Sequence, residues 1–307
     1  MRGLLLAGSR SVWLREKAMR RAFVRRAVSR FMPGETLEDA LGAARSLKEQ
    51  KLSTILTCLG ENVKDAAEAE AVARHYLDAI DIVSASGLDA EISVKLTQLG
   101  LELSPELAFT NLTSIASRAA EKKNRVWIDM EEARYTNATL AIFRRLRQER
   151  TNVGVCLQAY LRRTPVDLED LLPLGPAIRL VKGAYLEPPE LAFPEKSTVD
   201  ANYFSLAQRL LSPEARSTGT WAAFGTHDRV LIRRITTHAG STAVPRGGYE
   251  FELLYGIRTE EQTRLAGEGH RVRVLVSYGS YWFPWYMRRL AERPANVLFV
   301  AKSLLGA

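Results

Sequence analysis

Two short segments of this chain carry side chains suited to holding a small charged molecule. The first, Ile178-Arg-Leu-Val-Lys-Gly-Ala-Tyr185, is an apolar run that ends in a lysine, a glycine and a tyrosine. Gly183 has no Cβ, so a flat or phosphorylated ligand can approach the backbone closely there. The second, Tyr286-Met-Arg-Arg-Leu-Ala-Glu-Arg-Pro-Ala-Asn296, has helical character and stops at Pro294. Its adjacent Arg288 and Arg289 present guanidinium forks, which grip a carboxylate in two places. Together the segments predict a cofactor site facing a site for an amino acid or another carboxylate.

Other polar residues close apolar runs in the same way. Lys95 follows Glu91-Ile-Ser-Val94, Asp129 follows Arg125-Val-Trp-Ile128, and Gln158 ends Val153-Gly-Val-Cys-Leu157. Thr226-His227-Asp228 follows Trp221-Ala-Ala-Phe-Gly225, and Glu61 follows the first run. Each has an ordinary reading as well: Asp129, ahead of Met-Glu-Glu, could cap a helix, and a lone His227 could be structural. Their gathering at the same end of successive runs is what points to a site.

The elements that must position them alternate along the chain. Eight short aliphatic runs, at 53–56, 91–95, 125–129, 153–158, 177–182, 220–224, 249–253 and 271–276, read as strands. They lack strict two-residue alternation, as parallel strands buried on both faces should. Amphipathic stretches at 63–85, 105–122, 131–149, 198–211, 228–239, 258–266 and 281–292 read as the helices between them. The count predicts an α/β fold, a (βα)8 barrel of TIM type over residues 35–307, with chemistry at the C-terminal strand ends. The segment 187–197, with three prolines, reads as an ordered loop over the barrel mouth.

The composition excludes several classes. No apolar run reaches the ~18 residues of a spanning helix, and Leu4–Ala7 is too short for a secretory core. Cys58 and Cys156 stand in apolar stretches and read as reduced core residues, which suits the cytoplasm. The four histidines show no ligand spacing, so no metal is expected. No nucleophile elbow and no G-x-G-x-x-G opens a strand–helix unit. Any dinucleotide must therefore be held by the barrel's own loops.

The charge is uneven. Residues 1–30 hold eight arginines and Lys17 against one acid, Glu16, which accounts for the whole chain's net +8. Apolar residues Val12, Trp13, Met19, Phe23, Val24, Ala27 and Phe31 recur there at near-helical spacing. Residues 1–34 thus read as a basic helical arm. It packs on the barrel by one face, or it contacts an anionic membrane surface. No nucleic-acid motif accompanies it.

Several of these motifs, in order from about residue 50 to 300, resemble one family, the flavin-dependent proline dehydrogenases of monofunctional bacterial type. The matching pieces are Leu59-Gly-Glu61, Val94-Lys-Leu-Thr97, the 178–185 segment, Gly225-Thr-His-Asp228, Glu250-Phe-Glu-Leu-Leu-Tyr-Gly256 and the paired-arginine helix. The resemblance implies a distorted barrel holding non-covalent FAD. It implies hydride transfer from C5 of L-proline, giving Δ1-pyrroline-5-carboxylate, and electrons passed on to a membrane quinone. By position, Arg179 would approach the isoalloxazine near N5. Gln158, Val181, Lys182, Gly183, Ala184 and Tyr185 would line the FAD, and Thr226, His227 and Asp228 its adenylate half. Lys95, Arg288 and Arg289 would hold the substrate carboxylate, with Glu61 as a gate to the arginines and Asp129 beside Lys95.

The chain departs from the family pattern at the walls of the substrate ring. Leu275 and Trp285 stand where the family usually has tyrosines, and Leu186 where it often has a bulky aromatic. The expected substrate is L-proline. The same scaffold acting on another amine acid, such as a hydroxylated proline, is one alternative, and a non-catalytic barrel that binds a membrane or partner is another.

Overall fold

The computed structural model describes residues 30–60 and 63–282. Glu61, Trp285, Arg288, Arg289 and the arm up to Ser29 lie outside the described residues, as does most of the helix expected at 281–292. Eight parallel strands close into a barrel in chain order. They are β1 (Ser53–Cys58), β2 (Ala90–Val94), β3 (Val126–Ile128), β4 (Val153–Gln158), β5 (Ala177–Val181), β6 (Trp221–Gly225), β7 (Tyr249–Leu254) and β8 (Arg271–Tyr278). Pairing of β1 with β8, Ile55 opposite Leu275, completes the ring.

The helices are α1 (Leu37–Glu49), α2 (Ala66–Ser86), α3 (Pro105–Glu121), α4 (Thr136–Glu149), α5 (Thr164–Leu171), α6 (Lys196–Leu210), α7 (Pro213–Ser217), α8 (Arg229–Ser241) and α9 (Thr259–Gly267). Their starts are written in the sequence. Asp65, Ser104 and Asp228 accept backbone N–H groups at the starts of α2, α3 and α8. Gly87 ends α2 in the left-handed region at φ 64°.

Three helices go beyond the expected set. α1 precedes β1 with a capping box of Thr36 and Asp39. Its buried face is largely alanine, Ala40, Ala43 and Ala44 beside Leu41 and Leu47, which gives little contrast to read. α5 and α7 are too short to show a helical period, and Pro165 and Pro213 read as breakers although both sit in a first turn, where proline is tolerated. The 187–197 loop is ordered as expected, with Phe193 N–H donating to the Tyr160 carbonyl at 2.7 Å and Leu161 bridging to Ala192.

Strand alternation sorts the side chains into two environments. Leu56, Ile92, Val126, Val155, Leu180, Phe224, Phe251 and Val274 point outward into a core shared with the helices. The inward set is different. Among the described residues Ile55, Trp127, Ala177 and Ala223 form an apolar cluster inside, with Trp221 and Leu275 against it, and the rest of the interior mixes polar and charged side chains. Glu250, Glu252, Arg179 and Arg273 are each at most 4% exposed. A packed barrel needs no such residues for stability, since buried ion pairs roughly break even with apolar packing.

Candidate active site

The polar strand ends converge. Lys95, Asp129, Gln158, Arg179, Val181, Lys182, Gly183, Ala184, Tyr185, His227 and Leu275 line one cleft at the C-terminal mouth of the barrel. Thr226 and Asp228 are not among its lining residues. Thr226 is buried behind them, and its hydroxyl accepts the Asp228 N–H at 3.1 Å.

Asp129 is the hub. It caps no helix. Its Oδ2 accepts from Lys95 Nζ at 2.6 Å, and its Oδ1 accepts from Arg179 Nη1 at 2.9 Å and Ser93 Oγ at 2.8 Å. Burial acts to raise the Asp129 pKa, but Lys95 and then Arg179 outweigh it and hold the carboxyl below its usual range. Asp129 is therefore an anion that fixes two cations. Arg179 is held from three further sides. It donates to Ser93 Oγ at 3.0 Å, lies over the Trp127 ring at 4.6 Å, and places Nε 2.5 Å from Glu252 Oε2. That last contact is a charge contact without hydrogen-bond alignment, for neither atom has a bonded partner.

Ser93, Trp127, Cys156 and Glu252 belong to this site, and the sequence reading gave them no role in it. Cys156 lines the cleft, but burial pushes its thiol up to about 12 despite Arg179, so it is no nucleophile at neutral pH.

Among the buried atoms at the cleft that lack hydrogen-bond partners are one on Gln158 and a second on Arg179. Gln158 donates both ways through Nε2, to the carbonyls of Met130 and Glu131 at 3.2 Å each, and its Oε1 receives nothing. Arg179 Nη2 likewise has no acceptor. Buried polar groups are seldom left unpaired, so the wall offers an acceptor and a donor to a bound polar group. Beside them Gly183 sits at φ 112°, and a Cβ there would come 2.1 Å from the Tyr160 ring.

Lys182 is engaged as well. It donates to Asp228 Oδ2 at 2.7 Å and to Asp200, with Lys196 completing a four-charge cluster over β5, α6 and the start of α8. Burial acts to raise Asp228, but bonding to Lys182 prevails and brings it to about 2. Its folded pKa lies below the unfolded value, so its stabilisation is present above about pH 4 and is lost as pH falls through about 2. Asp228→Asn keeps a competent helix cap. It should lower unfolding free energy by about 2 kcal/mol at pH 7 and by nothing near pH 2. Urea titrations at the two pH values measure this, and an equal loss at both would remove the ion cluster as its cause.

A family model described as proline dehydrogenase matches residues 40–302. The chain belongs to the proline dehydrogenase family. Proline dehydrogenases are oxidoreductases acting on the CH–NH group of proline. Proline dehydrogenase 1 of Bacillus subtilis (strain 168) is 41% identical over 277 residues, covering 90% of each chain. The proline dehydrogenase of Deinococcus radiodurans is 36% identical, covering 90% of this chain and 89% of that one. Among solved structures, proline utilization A from Bdellovibrio bacteriovorus, inactivated by N-propargylglycine, superposes with a TM-score of 0.80 at 24% identity. The match covers 87% of this chain and 32% of that one, so this chain spans about a third of that protein's length, and the likeness shows the barrel fold.

Proposed function

We propose that this chain oxidises L-proline to Δ1-pyrroline-5-carboxylate with non-covalent FAD as hydride acceptor. The observation that carries this is the pairing at the cleft wall. Gln158 Oε1 and Arg179 Nη2, buried and unpartnered, suit the donor and acceptor edge of a flavin ring, beside Gly183, whose backbone packs directly on the Tyr160 ring. Gln158, Arg179, Val181, Lys182, Gly183, Ala184 and Tyr185 are the residues that would hold FAD, with Thr226, His227 and Asp228 toward its adenylate half. Bound there, FAD supplies a two-electron acceptor.

The protein's own part is positioning. Lys95, set by Asp129, meets the substrate carboxylate together with Arg288 and Arg289, and Glu61 closes over the arginines. Three cations around one carboxylate fix the reacting carbon in a near-attack pose. The same positive surroundings favour the neutral amine, the form that gives up hydride readily. Leu275 lines the cleft at the place of the substrate ring, and the comparisons lend nothing to a different amine acid or to a non-catalytic role.

Residues 1–34 form the arm and 35–307 the catalytic barrel. Among the described residues no helix is long and apolar enough to cross a membrane. The reading places the enzyme in the cytoplasm, with residues 1–30, whose basic charge suits an anionic surface, holding it at the inner membrane face near its quinone acceptor. The purified protein should be yellow and should release FAD on denaturation. Arg288→Lys and Arg289→Lys should each raise KM and cost about 2–4 kcal/mol in kcat/KM, because an ammonium cannot form the fork. Colourless protein, or wild-type kinetics in both variants, would overturn the assignment of cofactor or of carboxylate clamp respectively.

A further inference from the structure

Arg179 lines the cleft beside Lys95 and Lys182, and its charge is balanced from two sides. Asp129 lies at 2.9 Å toward the mouth. Glu252 on β7, also lining the cleft, lies at 2.5 Å from Nε. The two acids differ in kind. Asp129 accepts hydrogen bonds from Lys95, Ser93 and Arg179. Glu252 has 3% of its side chain exposed, and neither oxygen has a hydrogen-bond partner. A carboxylate so placed lacks the donors that normally stabilise its charge; its contact cation, Arg179, is shared with Asp129, and Arg273, opposite it on β8, is shared with Asp89, Glu91 and Glu250.

We infer that Glu252 is a positioning residue for Arg179 and that its protonation sets how much of the Arg179 charge the cleft feels. The inference rests on the FAD reading above. Protonated, Glu252 leaves the Arg179 charge to the cleft. Ionised, it cancels part of that charge. A hydride brings one proton and two electrons, one net negative charge, so a more positive cleft takes it up more readily.

The surroundings of Glu252 favour the protonated form. Burial is the main cause, and Glu250 on its own strand and Glu91 on β2 add to it against Arg179 and Arg273, bringing the carboxyl up to about 8. Asp129, Cys156 and the Tyr203 hydroxyl of α6 also act on the pair, Arg273 stands opposite Glu252 on β8, and Lys95, Lys182 and His227 line the same cleft. Arg179 stays charged throughout, since Glu252, Cys156 and Asp129 together outweigh the effect of its burial. Glu252 is thus the group whose charge changes in a range the protein can meet.

The test is the midpoint potential of the bound flavin as a function of pH, in the wild type, in Glu252→Gln and in Glu252→Leu. Both variants hold this site neutral at every pH, and Leu does so without an amide that could bond to Arg179. Below about pH 7 the three curves should coincide apart from a constant offset. Above the titration of Glu252 the wild type should fall below both variants. The gap should reach roughly tenfold in the ratio of reduced to oxidised flavin at fixed potential, which is ~30 mV for a two-electron couple. A merely structural role would move the curves equally at all pH. If one variant does not fold, the other supplies the comparison, and a break near pH 9 or below in the wild type that is missing from the variant supports the inference. Curves that run parallel over pH 6–10 with flavin bound would overturn it and leave the FAD reading intact. Protein without flavin would overturn both.

Discussion

Replacing Asp129 with alanine is expected to reduce kcat/KM by more than about a hundredfold, equivalent to ~2.7 kcal/mol. Asp129 joins Lys95, Arg179 and Ser93 through its two oxygens, at 2.6, 2.9 and 2.8 Å. Truncation takes from Lys95, only 14% exposed, the carboxylate at 2.6 Å, and takes the same carboxylate from Arg179 at 2.9 Å. Removing one member of a buried pair costs about 3–5 kcal/mol, because the other charge stays buried and uncompensated. The freed ammonium should swing toward solvent, and the carboxylate site should lose one of its three cations. Asp129→Asn keeps the shape and the bond to Ser93, so it should lie between alanine and wild type in both activity and stability. Denaturant unfolding and steady-state kinetics together decide the matter. A change under tenfold with stability within about 1 kcal/mol of wild type would mean that the network does not hold Lys95.

The second large effect is expected at Gly183. Gly183→Ala should weaken flavin binding by about a hundredfold or more. Its φ of 112° lies where side chains are rarely tolerated, at a cost of about 1–3 kcal/mol. The new Cβ would also meet the Tyr160 ring at 2.1 Å, and overpacking adds about 1–3 kcal/mol more. Tyr160 cannot easily yield. It is 8% exposed, and its backbone is tied to Lys182 and Phe193 by bonds of 2.8 and 2.7 Å. The strain must therefore shift the 182–185 segment, which forms one wall of the cleft. Gly219→Ala is the control, since Gly219 is at φ 87° with nothing within 4 Å of an added Cβ. It carries the backbone cost without the clash. Flavin content after dialysis, and affinity by fluorescence titration, should separate the two. Equal flavin retention in both would contradict the prediction and remove the 182–185 segment from the flavin wall.

The barrel was legible because each strand is an aliphatic run bounded by turn residues, and β4 runs from Val153 to Gln158 just as its sequence suggests. The helices that escaped are α5 and α7, too short to show a period, and α1, whose buried face is mostly alanine. At the site, Lys95 and Asp129 were visible as charged residues closing apolar runs and Arg179 only through the family resemblance, and the structure joins the three by direct bonds. Glu252 and Trp127 were not, although Tyr249-Glu-Phe-Glu252 alternates in the two-residue period that marks an inward face. Alternation says that Glu250 and Glu252 share a side. It does not say which arginine waits there: Arg273 comes from the adjacent β8 and Arg179 from β5, two strands away, and only the barrel's register sets which of them meets Glu252. The roles of Glu61, Arg288, Arg289 and Trp285 stand on the resemblance to proline dehydrogenases and on the kinetic tests above.

The most direct measurement is the visible spectrum of the purified protein mixed with L-proline in the absence of oxygen. The account requires the bound flavin to lose its colour on mixing, in proportion to protein, and to regain it with a quinone analogue. It also requires Δ1-pyrroline-5-carboxylate to appear in equal amount. Flavin that keeps its colour with saturating L-proline, yet bleaches with another cyclic amine acid, would show that Leu275 and Trp285 have moved this chain to a different substrate and would contradict the proposal.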